Sequence, residues 1–506
     1  MLCSSYGLLA TLNLMALASA EIFEGLADRK IVVVGDLMLD RFLWGRVRRI
    51  SPEAPVPVVD LERETRSAGG AANVARNLSE LGLKVALVGV TGADPGRELL
   101  LAELTTANLD SDGVLIAQDR RTTIKARVLG DHRQMIRIDE EQVAPLSERD
   151  RKRLLAVTTA RLAQADALLL SDYAKGVLTE DLCRTLIAFA RARGLPVLID
   201  PKAEDFSRYA GATLITPNRR ELALATGVAA QDLDALVAAG SAMRKKLSLE
   251  ALVLTLSEQG IALIEADGNH RIPAIARKIS DVSGAGDTVI ATFAAGLAAG
   301  LRWVDTAHLA NLAAGIVVGK VGTAPIKARE LLAALDEEAA VEQAAKIRDL
   351  EEAQAQVRRW QAAGKRVVFT NGCFDLLHVG HVTYLERAHR CGHRLVIGLN
   401  TDASVRRLKG PERPFIGQAD RARVLAALAA VDMVIPFDQD TPLTLIEQLR
   451  PDVLAKGADY REEQVVGAAE VKSWGGRVVL IPLMENHSTT GIIARTLATN
   501  SPSRYS

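Results

Sequence analysis

The chain is 506 residues long, 48% apolar, and balances 62 basic against 62 acidic side chains. That length exceeds one ordinary core and predicts at least two domains, while the apolar content excludes a disordered chain. Zero net charge removes the general electrostatic case for nucleic-acid binding and leaves only local basic pockets for phosphates. In chain order, residues 8–20 are apolar and Ala18-Ser19-Ala20 imitates a signal-peptidase site. No Lys or Arg precedes Arg29, so the charged start of a signal peptide is missing, and the stretch is too short to span a bilayer. Residues 1–27 are therefore expected to be a short helix or a frayed extension, with Met15 as an alternative start and no membrane association. Cys3, Cys183, Cys373 and Cys391 show no CxxC spacing and read as reduced thiols of a cytoplasmic protein.

Continuous apolar runs then recur at 31–34, 85–88, 168–170, 197–199, 214–216 and 252–256, alternating with helical patterns. Such runs predict a largely parallel sheet covered on both faces. A second series lies at 367–370, 395–399, 433–436, 453–455 and 478–481. Between them, 327–365 is rich in Ala, Glu, Gln and Arg and predicts a helical, semi-rigid linker. The halves carry different motifs, and no internal repeat is seen.

The first motif is Asp281-Val282-Ser283-Gly284-Ala285-Gly286-Asp287-Thr288, followed by a helix of small apolar residues. Glycines before a helix let backbone N–H groups converge on an anion, and the helix N-terminus adds about half a positive charge. Asp287 can then take a proton from an attacking hydroxyl, although Gly-rich turns and Asp caps also open many ordinary helices. Farther on, Gly315-Ile316-Val317-Val318-Gly319-Lys320-Val321 imitates a P-loop with one spacer too few and no Ser or Thr for magnesium, and reads as a helix with small packing residues.

With Gly35-Asp36, Gly69-Gly70-Ala71-Ala72-Asn73 and Thr216-Pro217-Asn218-Arg219-Arg220-Glu221 in the same order, residues 30–325 resemble the ribokinase-type (PfkB) sugar kinases. The resemblance implies a three-layer α/β domain with a small lid sheet. It makes Asp287 the catalytic base and Gly284, Ala285 and Gly286 the anion hole. Asp36, Gly69, Gly70, Asn73 and Lys175 would bind sugar. Asn218, Arg219, Arg220 and Glu221 would lie near the ATP phosphates, with Glu221 reaching Mg²⁺ directly or through water. Asn311 falls where the family contacts adenine. Ser283 stands where the family usually has Thr.

The second motif follows the strand at 367–370: Asn371-Gly372-Cys373-Phe374-Asp375-Leu376-Leu377-His378-Val379-Gly380-His381. Histidines three apart at a helix start share a face, and two imidazoles there can donate to an α-phosphate as its charge grows. A lone His pair would otherwise read as surface, capping or an incomplete metal site. The HxGH element resembles the cytidylyltransferase-like nucleotidyltransferases, which implies a Rossmann-like α/β domain. By that resemblance Thr370, Phe374 and Lys409 contact nucleotide, as do Ser488, Thr489 and Thr490 at a C-terminal helix opening. The lead-in to that opening departs from the family at Asn486-His487. Arg406 and Arg407 beside Lys409 read equally well as a solvated basic face. HxGH itself does not choose between ATP and CTP.

A PfkB-type kinase followed by an HxGH domain resembles the family of bifunctional heptose 7-phosphate kinase/heptose 1-phosphate adenylyltransferases. The runs Ile50-Ser51-Pro52-Glu53-Ala54-Pro55-Val56-Pro57-Val58-Val59, Leu170-Ser171-Asp172-Tyr173-Ala174-Lys175-Gly176 and Lys456-Gly457-Ala458-Asp459-Tyr460 support that closer match. It implies a kinase domain over 28–335, a linker over 336–362 and a nucleotidyltransferase over 363–506, using ATP and Mg²⁺ on a sugar phosphate. Arg127, Arg137 and Lys175 are candidates for the 7-phosphate, and a homodimer through lid strands is expected. Two other readings stay open: the same chemistries on another sugar phosphate or with CTP, and a non-catalytic sugar-phosphate sensor.

Overall fold

A computed structural model describes residues 23, 25–131, 133–202, 204–275, 281–320 and 322–482. The expectations for residues 1–22 and for Ser488, Thr489 and Thr490 lie outside them. The chain divides into two compact units, Met1–Asp336 and Glu337–Ser506.

Among the described residues the first unit holds twelve strands: β1 Lys30–Ile50, β2 Pro57–Gly70, β3 Lys84–Thr91, β4 Val114–Ile116, β5 Thr123–Gly130, β6 Arg133–Glu140, β7 Ala167–Ser171, β8 Val197–Asp200, β9 Leu214–Ile215, β10 Ala251–Thr255, β11 Ile261–Ile264 and β12 Asn269–Ile272. The main sheet runs β12-β11-β10-β9-β8-β7-β1-β3-β4, parallel except for the β10-β11-β12 edge. Its apolar runs bury both faces. Ile31 and Val33 face one core with helices Ala71–Glu80, Ala285–Ala298 and Trp303–Val317, whereas Val32 and Val34 face a second with helices Glu148–Leu162, Glu180–Arg191 and Leu233–Leu247. Period-two alternation on a doubly covered sheet demands such continuous apolar text.

β1 is longer than the four-residue run suggests. It continues through Gly35-Asp36 without a break, pairs antiparallel with β2 from Leu37 onward, and pairs parallel with β5 from Met38 to Gly45. Strands β2, β5 and β6 with the distal half of β1 form the lid sheet. The P-loop imitation is not one helix: helix Trp303–Val317 ends inside it, and Lys320 Nζ pairs with Glu330 Oε2 at 2.7 Å.

Among the described residues the second unit holds a five-stranded parallel sheet of β13 Val367–Gly372, β14 Arg394–Asn400, β15 Met433–Phe437, β16 Val453–Gly457 and β17 Arg477–Ile481, ordered β15-β14-β13-β16-β17. Of the expected linker, helix Leu350–Ala362 packs Ala353 and Val357 into this unit's core, so that stretch is a structural layer and not a spacer.

Candidate active sites

In the first unit Gly284, at φ +82°, turns the chain into helix Ala285–Ala298, a conformation costly for any residue with a Cβ. No side chain caps this helix, and of its first-turn amides that of Ala285 donates to Val282 O at 3.4 Å; an uncapped helix start of this kind can receive an anion. Asp281 fixes the approach, accepting from Ser283 N at 2.9 Å and Gly322 N at 3.1 Å. Asp287 is 4% exposed. Its Oδ2 accepts from Asn73 Nδ2 at 2.7 Å and its Oδ1 from the Tyr173 hydroxyl at 2.6 Å. Burial pushes its pKa up to about 6, opposed by the Tyr173 and Asn73 hydrogen bonds; Asp40 raises it further and Lys125 lowers it. A carboxylate so placed is ionised at neutral pH, yet basic enough to accept a proton in the transition state.

Asn73 therefore touches the base as well as the expected sugar space. Gly69 and Gly70 follow from the close passage of β2 against β1: a Cβ on Gly69 would lie 2.3 Å from Asp40 Oδ2. Asp36 has a different first duty from the sugar contact expected of it. Its carboxylate accepts three backbone N–H groups, from Tyr173 at 2.9 Å, Lys175 at 3.1 Å and Val177 at 3.2 Å, which clamps the loop that delivers Tyr173. Burial and neighbouring Asp172 raise its pKa against those hydrogen bonds. Lys175 Nζ pairs with Glu141 at 2.8 Å. Arg127 holds Asp40 at 2.5 Å, and Arg137 holds Asp139 on the exposed lid.

Asn218 and Glu221 close a capping box on helix Arg219–Thr226: Glu221 N donates to Asn218 Oδ1 at 3.0 Å, and Asn218 N to Glu221 Oε2 at 2.9 Å. The spacing thus has a local structural cause in addition to the phosphate role expected of it. Glu221 Oε1 also accepts from Lys202 Nζ at 2.7 Å. Arg219 pairs with Glu258 at 3.1 Å, Arg220 is exposed, and Asn311 donates to Pro273 O at 2.8 Å. Sequence reasoning missed Tyr173, Asp40, Lys125 and Asp200. Burial raises Asp200 well above the usual carboxylate range, with Asp287 and Glu221 adding to it. The Asp172-Tyr173-Ala174-Lys175 run was the available signal for Tyr173.

In the second unit His378 stands at the N-cap position of helix Val379–His389 without a side-chain cap bond and stacks on His381, ring centres 4.0 Å apart. Burial and His378 together lower the His381 pKa to about 4, opposed by a hydrogen bond to the Leu376 backbone. Phe374, at φ +46°, sets its ring edge-on to His381 at 5.3 Å. Thr370 is buried and shares a 2.8 Å hydrogen bond with the Tyr384 hydroxyl, so in this structure it fixes the histidine helix to β13. Lys409 ends helix Asp402–Lys409, where its charge reaches Cys373, while Arg407 turns to Asp440 at 2.8 Å. Two unforeseen residues hold the surrounding loops. Asp375 binds Arg413 and accepts from Phe415 N at 2.7 Å. Arg421, 2% exposed, donates to Ile416 O, Cys373 O and Asp402 Oδ1 at 2.9, 2.5 and 2.7 Å.

Among the described residues no three His, Cys, Asp or Glu side chains cluster as a metal site, and no helix is long and apolar enough to cross a membrane.

Compared with known proteins, residues 28–331 match the pfkB family carbohydrate kinases and residues 369–495 the cytidylyltransferase-like family. Over 474 residues the chain is 56% identical to the bifunctional protein HldE of Magnetococcus marinus, spanning 92% of this chain and 97% of that one. It is 54% identical over 466 residues to the bifunctional protein HldE of Methylobacillus flagellatus, spanning 92% and 96%. In fold it resembles phosphofructokinase-2 of Escherichia coli solved with substrates and products, with a TM-score of 0.51, 19% identity and coverage of 61% of this chain and 99% of that one.

Proposed function

The chain belongs to the bifunctional HldE family, and from that premise we propose that it performs two ATP-consuming reactions on one sugar. The N-terminal unit transfers the ATP γ-phosphoryl to O1 of D-glycero-β-D-manno-heptose 7-phosphate. The C-terminal unit joins D-glycero-β-D-manno-heptose 1-phosphate to AMP from ATP, giving ADP-heptose and pyrophosphate for lipopolysaccharide core synthesis. A separate phosphatase removes the 7-phosphate between the two steps.

The observation that carries the kinase reading is the buried Asp287 carboxylate at an uncapped helix start. Asp287 takes the O1 proton as O1 bonds to the γ-phosphorus and the bridge to ADP breaks, while the amides at Gly284, Ala285 and Gly286 face the transferred group. In the second unit the stacked His378 and His381 stand at a helix start where they can donate to the α-phosphate as pyrophosphate leaves. Lys409 adds a cation beside the triphosphate.

Mg²⁺ commonly binds through one or two carboxylates plus substrate phosphates. Asp200 and Glu221 fit that demand, since Glu221 adds to the burial that raises the Asp200 pKa, a strain a cation would relieve. Held by these carboxylates, Mg²⁺ would supply charge neutralisation to the ATP phosphates. Use of ATP as substrate supports a cytoplasmic location. Exposed Ile50, Val56, Leu61, Ile136 and Ile138 on or beside the lid strands support a homodimer through the lid.

The test offers purified protein heptose 7-phosphate with ATP, then heptose 1-phosphate with ATP or CTP in parallel. ADP from the first arm and ATP-dependent pyrophosphate from the second are expected. Silence on both heptoses with turnover of another sugar phosphate would overturn the substrate assignment.

A further inference from the structure

The second unit holds a half-buried cation that neither the histidine pair nor helix Asp402–Lys409 explains. Lys456 lies near the C-terminal end of β16, and its Nζ donates to Asn371 Oδ1 at 2.5 Å. Val368 pairs with Val453 and Phe369 with Leu454, so Asn371 and Lys456 sit side by side at the C-terminal ends of adjacent parallel strands. The order β15-β14-β13-β16-β17 makes the β13–β16 gap the point where the winding reverses, and open α/β sheets bind ligands outside such a point.

An ammonium carries three N–H donors. Among the described residues, Lys456 has one acceptor, the neutral Asn371 amide, and no ion pair. Burial lowers its pKa to about 8, with Asp459 pulling the other way. A cation partly withdrawn from water without an anion beside it is costly, and an arriving oxyanion would reduce that cost.

Strand alternation says which ligand. Val368, Val453 and Ala455 face the core that holds Tyr384 and Leu385 of the histidine helix, whereas Phe369 and Leu454 face the opposite core. Asn371 and Lys456 share the second side, across β13 from the helix that bears His381. Displacement at the α-phosphorus runs in line, with attacking and leaving oxygens on opposite sides. A cation across the strand from the histidines therefore suits the attacking group better than the triphosphate.

We propose that Lys456, aimed by Asn371, binds a phosphate oxygen of the sugar 1-phosphate acceptor and sets that group for attack on the α-phosphate. This rests on the adenylyl-transfer reading above. A charge-assisted hydrogen bond of this kind implies that Lys456→Met raises the KM for heptose 1-phosphate by about 10- to 100-fold. The KM for ATP and the kinase rate of the same full-length chain stay unchanged, and Lys456→Arg recovers part of the loss. Lys456→Gln, which keeps a donor for Asn371 without the charge, gives the same readout if the methionine variant does not fold. A rise in the ATP KM alone would assign the cation to the triphosphate and overturn the proposal, as would unmoved KM values for both substrates. A wild-type enzyme inactive on heptose 1-phosphate would instead refute the activity assignment, so the two failures are distinguishable.

Discussion

Replacing Tyr173 by Phe removes a single hydroxyl, the one donating to Asp287 Oδ1 at 2.6 Å, and leaves the ring in place. A donor to a carboxylate favours its ionised form, so losing the donor raises the pKa of the base. A hydrogen bond to a charged group is worth about 1.5–3 kcal/mol, and one pKa unit corresponds to about 1.4 kcal/mol. The Asp287 pKa should therefore climb from about 6 by about one to two units, into the neutral range. Asp287 must be unprotonated to accept the O1 proton, so activity falls on the acid side and recovers as pH rises. The assay is kcat/KM for ADP release across the pH range, whose acid limb reports the free enzyme's base. Adenylyl transfer by the same chain is the internal control. An acid limb that stays in place in the variant would refute this account of how the base is tuned. An unaltered second activity would exclude general misfolding as the explanation of any shift.

Asp287→Asn should lower the kinase rate by about 10²–10⁴-fold at every pH while pyrophosphate release continues, measured on one preparation. His378→Ala should do the reverse; loss of both activities would indicate misfolding. Asp36→Ala strands three backbone N–H groups and frees the loop that carries Tyr173 and Lys175, so kinase activity should drop sharply and the loop should become protease-sensitive. Arg421→Ala breaks three part-buried hydrogen bonds of an enclosed guanidinium, including the ion pair to Asp402. Denaturant unfolding should show destabilisation of about 2–3 kcal/mol in the second unit, with adenylyl transfer lost before kinase activity.

The strands could be read because a doubly covered parallel sheet leaves no room for polar alternation, as at Val32, Val33 and Val34. Asp287 and the His pair were legible because each sits at a helix start whose glycines or spacing are local. What surrounds them was not. Tyr173 meets Asp287 from 114 residues away and Asn73 from 214, so only the folded sheet brings the three together. Asn218 and Glu221 show the opposite difficulty: their spacing is visible, yet it satisfies a helix cap as fully as a phosphate site. The long polar stretch after Lys327 reads as a connector until Ala353 and Val357 are seen buried, since two small apolar positions among charges carry little signal. Arg421 is the sharpest case, a charged residue on a helix whose polar text suggests solvent and whose guanidinium is almost wholly enclosed.

The unbroken course of β1 has a consequence for how this enzyme can vary. One run of backbone is the axis of the main sheet at residues 30–36 and the spine of the lid from Leu37 onward. Because side chains alternate sides at every step, parity is shared between the two layers. A single inserted residue just after Asp36 would leave the main sheet intact yet turn Asp40 to the far side of the lid, exchanging it for its neighbours. Only insertions or deletions in pairs preserve the arrangement, so length changes at this junction should be found in even numbers or confined to the bend between β1 and β2.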